Sequence, residues 1–135
     1  MCCIMGYAGR DLPKETFTEY LLRTTSRGPD DQRVAETEFG LLGFGRLAIM
    51  GLTPEGMQPF FRGADCVACN GELYGFRPLK KRLEEKYTFQ SDSDCEILLP
   101  LYREYGADMF AMLDAAAADG VTRLFATSHS TPGME

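Results

Sequence analysis

Apolar and polar residues follow two patterns along the chain, and each pattern predicts a different kind of element. Short apolar runs predict strands at residues 2–8, 39–43, 46–50 and 64–69. Apolar residues three and four positions apart predict helices at residues 14–26, 76–87, 93–105 and 108–113. Helices do not follow strands one by one, so the order favours the α+β class, with a mixed or antiparallel sheet.

Glycine and proline modify this pattern at three places. The glycines within residues 43–45 predict a bend between two short strands. Asn70 and Gly71 predict a turn directly after the fourth strand. Pro100 lies inside the third predicted helix, where it should kink the helix or cost about 3 kcal/mol of helix stability.

Length and charge limit the function classes open to this chain. Its 135 residues suit one domain, which we place at residues 1–126 before an irregular tail at 127–135. The net charge of −6 and the lack of a basic run argue against nucleic acid or an anionic membrane as partners. No apolar stretch approaches the roughly 20 residues of a membrane helix. The start also lacks the basic leader of a signal peptide, which favours a cytoplasmic location.

The cysteines predict free thiols and no metal site. There are five of them, an odd number, which indicates a reducing compartment. Cys66 and Cys69 form a C-x-x-C, but residues three apart on a strand point to opposite faces, so their sulfurs should not meet on one metal. His129, in the tail, is the only histidine available as a further ligand.

Cys2 is the first candidate for chemistry, because removal of Met1 would leave it as the N-terminal residue. It would then carry a thiol, with an ordinary pKa of about 8.5, beside an α-amine with an ordinary pKa of about 7.7 to 8.0. The partly neutral amine can accept the thiol proton, so one residue supplies both nucleophile and base.

Three further clusters each allow a functional and a purely structural interpretation. Arg46 begins a predicted strand and can hold a carboxylate, or it can be a solvated surface arginine. Asn70 and Gly71 can form an oxyanion hole from a side-chain amide and a backbone N–H, or a hairpin turn. Segment 91–96 can hold a substrate ammonium group with one of its carboxylates, or it can cap a helix.

Six motifs, taken in order, carry a family resemblance. They are Met-Cys-x-Ile-x-Gly, Arg-Gly-Pro-Asp, Gly-x-x-Arg-Leu-x-Ile, Gly-Met-Gln-Pro, Asn-Gly-Glu-Leu-Tyr and Ser-Asp-Cys-Glu. The set resembles the glutaminase domain of glutamine-hydrolysing asparagine synthetase, a class II (N-terminal nucleophile) glutamine amidotransferase, over residues 1–114.

The resemblance implies a fold and a reaction. The fold would be a four-layer αββα sandwich, here truncated at its C-terminal end. Cys2 would attack the side-chain amide of glutamine, with the Asn70 side chain and the Gly71 N–H stabilising the oxyanion. Ammonia would leave, and water would hydrolyse the glutamyl thioester to glutamate.

The resemblance also implies how glutamine is held. Arg46 would bind the α-carboxylate, and Asp94, with help from Glu72, would bind the α-ammonium group. Backbone groups would line the pocket at Leu47, Ala48, Ile49 and Met50. The glutaminase step would need no cofactor and no metal.

In the full-length family a second domain uses ATP and magnesium to turn aspartate and the ammonia into asparagine. No Ser-Gly-Gly-x-Asp-Ser-like pyrophosphate loop occurs here, so a synthetase domain or subunit would be the ammonia-accepting partner, and a homodimer stays open.

Two alternatives remain open from the sequence. The chain departs from the family at Cys3, where glycine or another small residue is usual, and after Asp114, where a strand is reduced to alanines. One alternative is therefore an inactive truncated fragment that acts at most as an interaction module. The other is the glutaminase domain of a different class II amidotransferase.

Overall fold

A computed structural model describes residues 2–48, 53–116 and 125–127. Within these ranges the strands and α-helices are, in chain order, β1 Cys3–Ala8, α1 Lys14–Leu22, β2 Asp31–Thr37, β3 Gly40–Arg46, β4 Phe60–Arg62, β5 Asp65–Ala68, β6 Glu72–Tyr74, α2 Phe76–Leu83, α3 Leu98–Tyr105, β7 Asp114–Ala116 and β8 Phe125–Thr127. Short 3-10 helices occupy Pro54–Gly56, Asp94–Ile97 and Gly106–Met112. None of the helices so described is long and apolar enough to cross a membrane.

The strands form antiparallel sheets, which confirms the α+β class. The first sheet has the order β1-β3-β2, the second β4-β5-β8, and β6 pairs with β7. β3 is the central strand of the first sheet and β5 of the second. These two central strands supply most of the residues through which the sheets bury their apolar surface.

β3 buries both of its faces, since successive side chains of a strand point in opposite directions. Leu42 and Phe44 belong to a small apolar cluster together with residues of β5. Gly43, between them, lies under α1, where an added Cβ would be 2.9 Å from Cε1 of Phe17 and 3.1 Å from Cδ2 of Leu21. Apolar carbons pack best at about 3.5–4.0 Å, so only glycine lets α1 approach this closely.

Two apolar clusters form most of the described core, and Phe17 and Leu21 of α1 are buried outside them. The smaller one, which Cys2 and Ile4 cover, consists of Leu42, Phe44, Met57, Cys66 and Ala68. The larger one joins β5 and β6 to the helices and consists of Phe60, Val67, Cys69, Leu73, Phe76, Leu83, Cys95, Ile97, Leu98, Leu99, Leu101 and Met109. Cys66 and Cys69 thus lie in different clusters, as the strand periodicity predicts. All five cysteines are free thiols, which is also confirmed.

The bend predicted at residues 43–45 is wrong, because β3 runs without interruption from Gly40 to Arg46. The glycines there serve close packing rather than a turn.

β2 was not predicted at all. Only its Ala35 is buried, so this edge strand carries no apolar run that a pattern could reveal. Residues 49 and 50 of the strand predicted at 46–50, and the two residues after it, lie outside the described part.

The third helix differs from its prediction in a way that explains Pro100. A 3-10 segment, Asp94–Ile97, precedes α3, and α3 begins only at Leu98. Pro100 therefore falls in the first turn of α3, where a missing N–H costs nothing, and the expected kink does not arise. α1 and α2 end at Leu22 and Leu83, each four residues before the predicted end.

Candidate active site

Cys2 lies directly before β1, beside the segment that comes after β3. Its Sγ accepts a hydrogen bond from the backbone N–H of Leu47 at 3.3 Å and lies 3.6 Å from the carbonyl oxygen of the same residue. Cys2 is half-buried and packs on the smaller apolar cluster, to which Ala68 belongs. The thiol therefore lies beside the end of β3 and against the smaller apolar cluster.

Asp30 fixes the backbone beside this thiol. Its N–H donates to the carbonyl oxygen of Arg46 at 3.0 Å, and its Oδ2 accepts from the N–H of Ala48 at 2.7 Å. These two bonds lie on either side of Leu47, whose N–H contacts the Cys2 sulfur. Asp30 belongs to the Arg-Gly-Pro-Asp motif, which is the only sequence signal that pointed to it.

Arg46 is a buried arginine, so the interpretation as a solvated surface residue is wrong. It is 8% exposed, and its Nη1 donates to the carbonyl oxygen of Thr53 at 3.1 Å. Its Nη2 is fully buried and has no hydrogen-bond partner among the residues described. Leaving a buried donor unpaired costs about 1–3 kcal/mol, and more for a charged group. A ligand carboxylate at this nitrogen would remove that cost.

Asn70 and Gly71 do not form a hairpin turn. They connect β5 to β6, and these strands belong to different sheets: β5 pairs with β4 and β8, and β6 pairs with β7. Asn70 is half-buried and Gly71 is exposed. The connection therefore places a polar side chain and a backbone N–H at the end of the central strand of the second sheet.

Asp94 is a buried carboxylate, 7% exposed, that bridges two elements. Its Oδ2 accepts from the N–H of Leu73 at 2.6 Å, and its Oδ1 accepts from the N–H of Cys95 at 3.0 Å. The N-cap position is Ser93, whose side chain makes no capping bond. Helix capping therefore does not explain the acidic residues of segment 91–96. Each Asp94 oxygen keeps capacity for a second donor, such as an ammonium group.

Glu72 precedes Leu73 in the chain, and Cys95 follows Asp94. Glu72 is half-buried, and its Oε2 accepts from the hydroxyl of Tyr74 at 3.0 Å, a bond that raises the pKa of Tyr74. A hydrogen bond with Cys69, together with burial, raises the pKa of the Cys95 thiol well above its usual value. Cys95 is therefore a neutral core thiol and not a second nucleophile.

The predicted site residues fall into two groups. We call Cys2, Arg46, Leu47 and Ala48 the nucleophile corner, because contacts through Asp30 and Leu47 hold them together. We call Asn70, Gly71, Glu72 and Asp94 the acidic corner, because they share β6 and its connections. The smaller apolar cluster contacts Cys2 and includes Ala68, two residues before Asn70, and so links the corners. Ile49 and Met50 lie outside the described residues.

The sequence matches a known protein family and several known proteins. Residues 1–119 match a family described as the glutamine amidotransferase domain. The chain is 38% identical to a probable glutamine-hydrolysing asparagine synthetase of Acanthamoeba polyphaga mimivirus, over 86% of this chain and 22% of that protein. It is also 38% identical to glutamine-hydrolysing asparagine synthetase 1 of Arabidopsis thaliana, over 84% of this chain and 20% of the relative.

A third similar protein is glutamine-hydrolysing asparagine synthetase B of Escherichia coli K12, with 34% identity over 61% of this chain and 15% of the relative. The chain spans about a fifth of the length of the first two relatives named here, which are covered to 22% and 20%.

Proposed function

The chain belongs to the glutamine amidotransferase domain family, and we propose that it hydrolyses glutamine to glutamate and ammonia through a thioester on Cys2. The thiolate attacks the amide carbon and forms a tetrahedral oxyanion. The carbon–nitrogen bond then breaks, the nitrogen takes a proton, and ammonia leaves a glutamyl thioester. Water cleaves the thioester, which releases glutamate and restores the thiol.

The position of Cys2 supports its role as nucleophile. With Met1 removed, its own α-amine takes the thiol proton, so no second side chain has to act as base. The Leu47 N–H, 3.3 Å from Sγ, donates to the sulfur and holds it beside the end of β3. The Asn70 side chain and the Gly71 N–H then stabilise the oxyanion as hydrogen-bond donors.

The observation that carries the proposal is the buried Nη2 of Arg46, which has no hydrogen-bond partner among the described residues. The amino-acid end of glutamine is a zwitterion and needs one cation and at least one anion. Arg46 supplies the cation for the α-carboxylate, and Asp94, assisted by Glu72, supplies the anion for the α-ammonium group. Backbone groups of Leu47, Ala48, Ile49 and Met50 complete the pocket.

Packing supports a four-layer αββα sandwich for the domain, in which β8 ends at Thr127. α1 covers one face of the first sheet at Gly43. The smaller apolar cluster joins the other face to the second sheet, and the larger cluster joins the second sheet to α2 and α3. The layers are thus arranged in the order helix, sheet, sheet and helices.

The named relatives point to the use of the ammonia. All three are glutamine-hydrolysing asparagine synthetases. The chain would therefore be the ammonia-supplying part of such a synthetase in the cytoplasm, and a synthetase domain or subunit, using ATP and magnesium, would accept the ammonia. The glutaminase step itself needs neither group.

The test is release of glutamate from glutamine by the purified chain. We expect Cys2→Ala to abolish release, while Cys3→Ala, which removes the neighbouring thiol, keeps it. Intact mass should show loss of one methionine and an adduct on Cys2 with an electrophilic glutamine analogue. Glutamate release that persists in Cys2→Ala would contradict the proposal, and a wild type without release would favour a non-catalytic interaction module.

A further inference from the structure

Gln58 is a buried polar residue outside both corners. It lies in the Gly-Met-Gln-Pro motif and is 6% exposed. Its Nε2 donates to the carbonyl oxygen of Cys69 at 3.1 Å, and its Oε1 accepts from the N–H of Cys69 at 2.6 Å. One side-chain amide therefore satisfies both backbone polar groups of Cys69.

These two hydrogen bonds take the place of backbone pairing between the strands beyond Phe60, the first residue of β4. β4 and β5 pair as far as Phe60 opposite Val67, and the same register places Gln58 opposite Cys69. Pro59 lies between Gln58 and Phe60 and has no N–H to donate to β5. The side chain of Gln58 therefore carries the pairing two residues beyond Phe60, to the last residue before Asn70.

Fixing Cys69 also orients the peptide unit that leads into the acidic corner. The carbonyl of Cys69 and the N–H of Asn70 belong to one planar peptide unit. The donor from Gln58 on this carbonyl therefore sets the orientation of the backbone that enters Asn70 and Gly71. Burial of Gln58 keeps water from replacing that donor.

We propose that Gln58 is a positioning residue for oxyanion stabilisation. It holds the peptide between Cys69 and Asn70 so that the Asn70 side chain and the Gly71 N–H point at the same oxygen. This inference rests on the proposed glutaminase function. Gln58 acts through the backbone and does not touch the substrate.

The decisive variant is Gln58→Met, which keeps the side-chain length and removes both hydrogen bonds. Outright removal of an oxyanion donor lowers kcat by about 10²- to 10³-fold, so misplaced donors should lower kcat by about tenfold or more. The groups that bind the α-carboxylate and the α-ammonium group stay in place. The KM for glutamine should therefore change by less than about threefold.

Thr37→Val is the matched control. The Thr37 hydroxyl donates to the carbonyl oxygen of Gly40 at 3.2 Å and accepts from the N–H groups of Phe39 at 3.2 Å and Gly40 at 3.1 Å. Gly40 is at the end of β3 remote from Arg46. This variant should lower the thermal midpoint but leave kcat unchanged.

A second variant and a second measurement keep the test independent of folding and of turnover. Gln58→Leu, a shorter side chain that also removes both hydrogen bonds, carries the kinetic test if Gln58→Met does not fold. Hydrogen exchange at the Cys69 amide should be faster in the folded Gln58 variants than in the wild type, and unchanged in Thr37→Val.

The possible failures are distinguishable. An active wild type whose Gln58 variants keep kcat, or lose no more of it than Thr37→Val at equal thermal stability, overturns the role of Gln58 alone. Unchanged exchange at the Cys69 amide in the folded Gln58 variants does the same. A wild type that releases no glutamate overturns the proposed function, and the role of Gln58 with it.

Discussion

The nucleophile corner and the acidic corner each bury one charged side chain, but they treat it differently. Arg46 is 8% exposed and Asp94 is 7% exposed. Arg46 has one donor nitrogen, Nη2, without a partner in the described residues. Asp94 has both oxygens bonded to backbone N–H groups, of Leu73 and of Cys95.

This difference stems from the chemistry of the two groups. A guanidinium has only N–H donors, and each donates once. A donor reserved for a ligand therefore has no hydrogen-bond partner until the ligand binds. A carboxylate oxygen accepts twice, so Asp94 can stabilise the fold and still bind an ammonium group. Arg46 should therefore matter mainly for glutamine binding, and Asp94 for both binding and stability.

The largest effect should come from Arg46→Met. Losing one partner of a buried ion pair costs about 3–5 kcal/mol, so kcat/KM for glutamine should fall about 100-fold or more. The free energy of unfolding should change by less than about 1 kcal/mol, because the variant also removes a buried donor that has no partner in the described part of the chain. Steady-state kinetics and urea unfolding measure the two quantities.

Arg33→Met is the control for this variant, since Arg33 is exposed and its Nη1 also donates to a backbone carbonyl, that of Met57. It should leave kcat/KM unchanged. A large loss of stability in Arg46→Met without a loss of glutamine affinity would show that Arg46 serves the fold and not glutamine binding.

Asp94→Asn should show a smaller effect on kinetics and a larger one on stability. The amide turns an NH₂ group towards one of the two backbone N–H donors, which should cost about 1–3 kcal/mol of unfolding free energy. Glutamine binding should also weaken, because the charge facing the α-ammonium group is gone. Urea unfolding and KM measure these effects.

The control is Asp92→Asn, whose carboxylate is fully exposed. It should change neither the unfolding free energy nor KM. An Asp94→Asn variant as stable as the wild type would show that the carboxylate does not hold β6 against the 3-10 segment.

The smallest effect should come from Asp30→Ala. This change removes the acceptor for the Ala48 N–H and should cost about 1 kcal/mol of unfolding free energy. It should lower kcat only a few-fold, because the segment beside Cys2 loosens without losing a group that touches substrate. Urea unfolding and steady-state kinetics measure both changes.

Asp30→Asn keeps an acceptor oxygen and should restore most of both quantities. Asp31→Ala is the control, because the Asp31 carboxylate accepts from the N–H of its own neighbour, Gln32. If Asp30→Asn were as impaired as Asp30→Ala, charge rather than the hydrogen bond would explain the role of Asp30.

Part of the fold could be predicted from the sequence because it depends on local patterns. The strands predicted at 2–8 and 64–69 appear as β1 and β5. β2 could not be predicted, because an edge strand with one buried residue looks like a polar loop until its partner β3 is in place. The glycine bend at 43–45 failed for the same kind of reason, since the approach of α1 is a long-range contact.

The sequence by itself determined the identity and order of the candidate site residues, because motifs are read along the chain. It could not choose between a surface arginine and a buried one at Arg46, or between a hairpin and an inter-sheet connection at Asn70 and Gly71. Those choices depend on burial and on strand pairing between distant segments, and only the tertiary structure decides them. The same holds for Gln58, whose partner Cys69 becomes its neighbour only when β4 lies against β5.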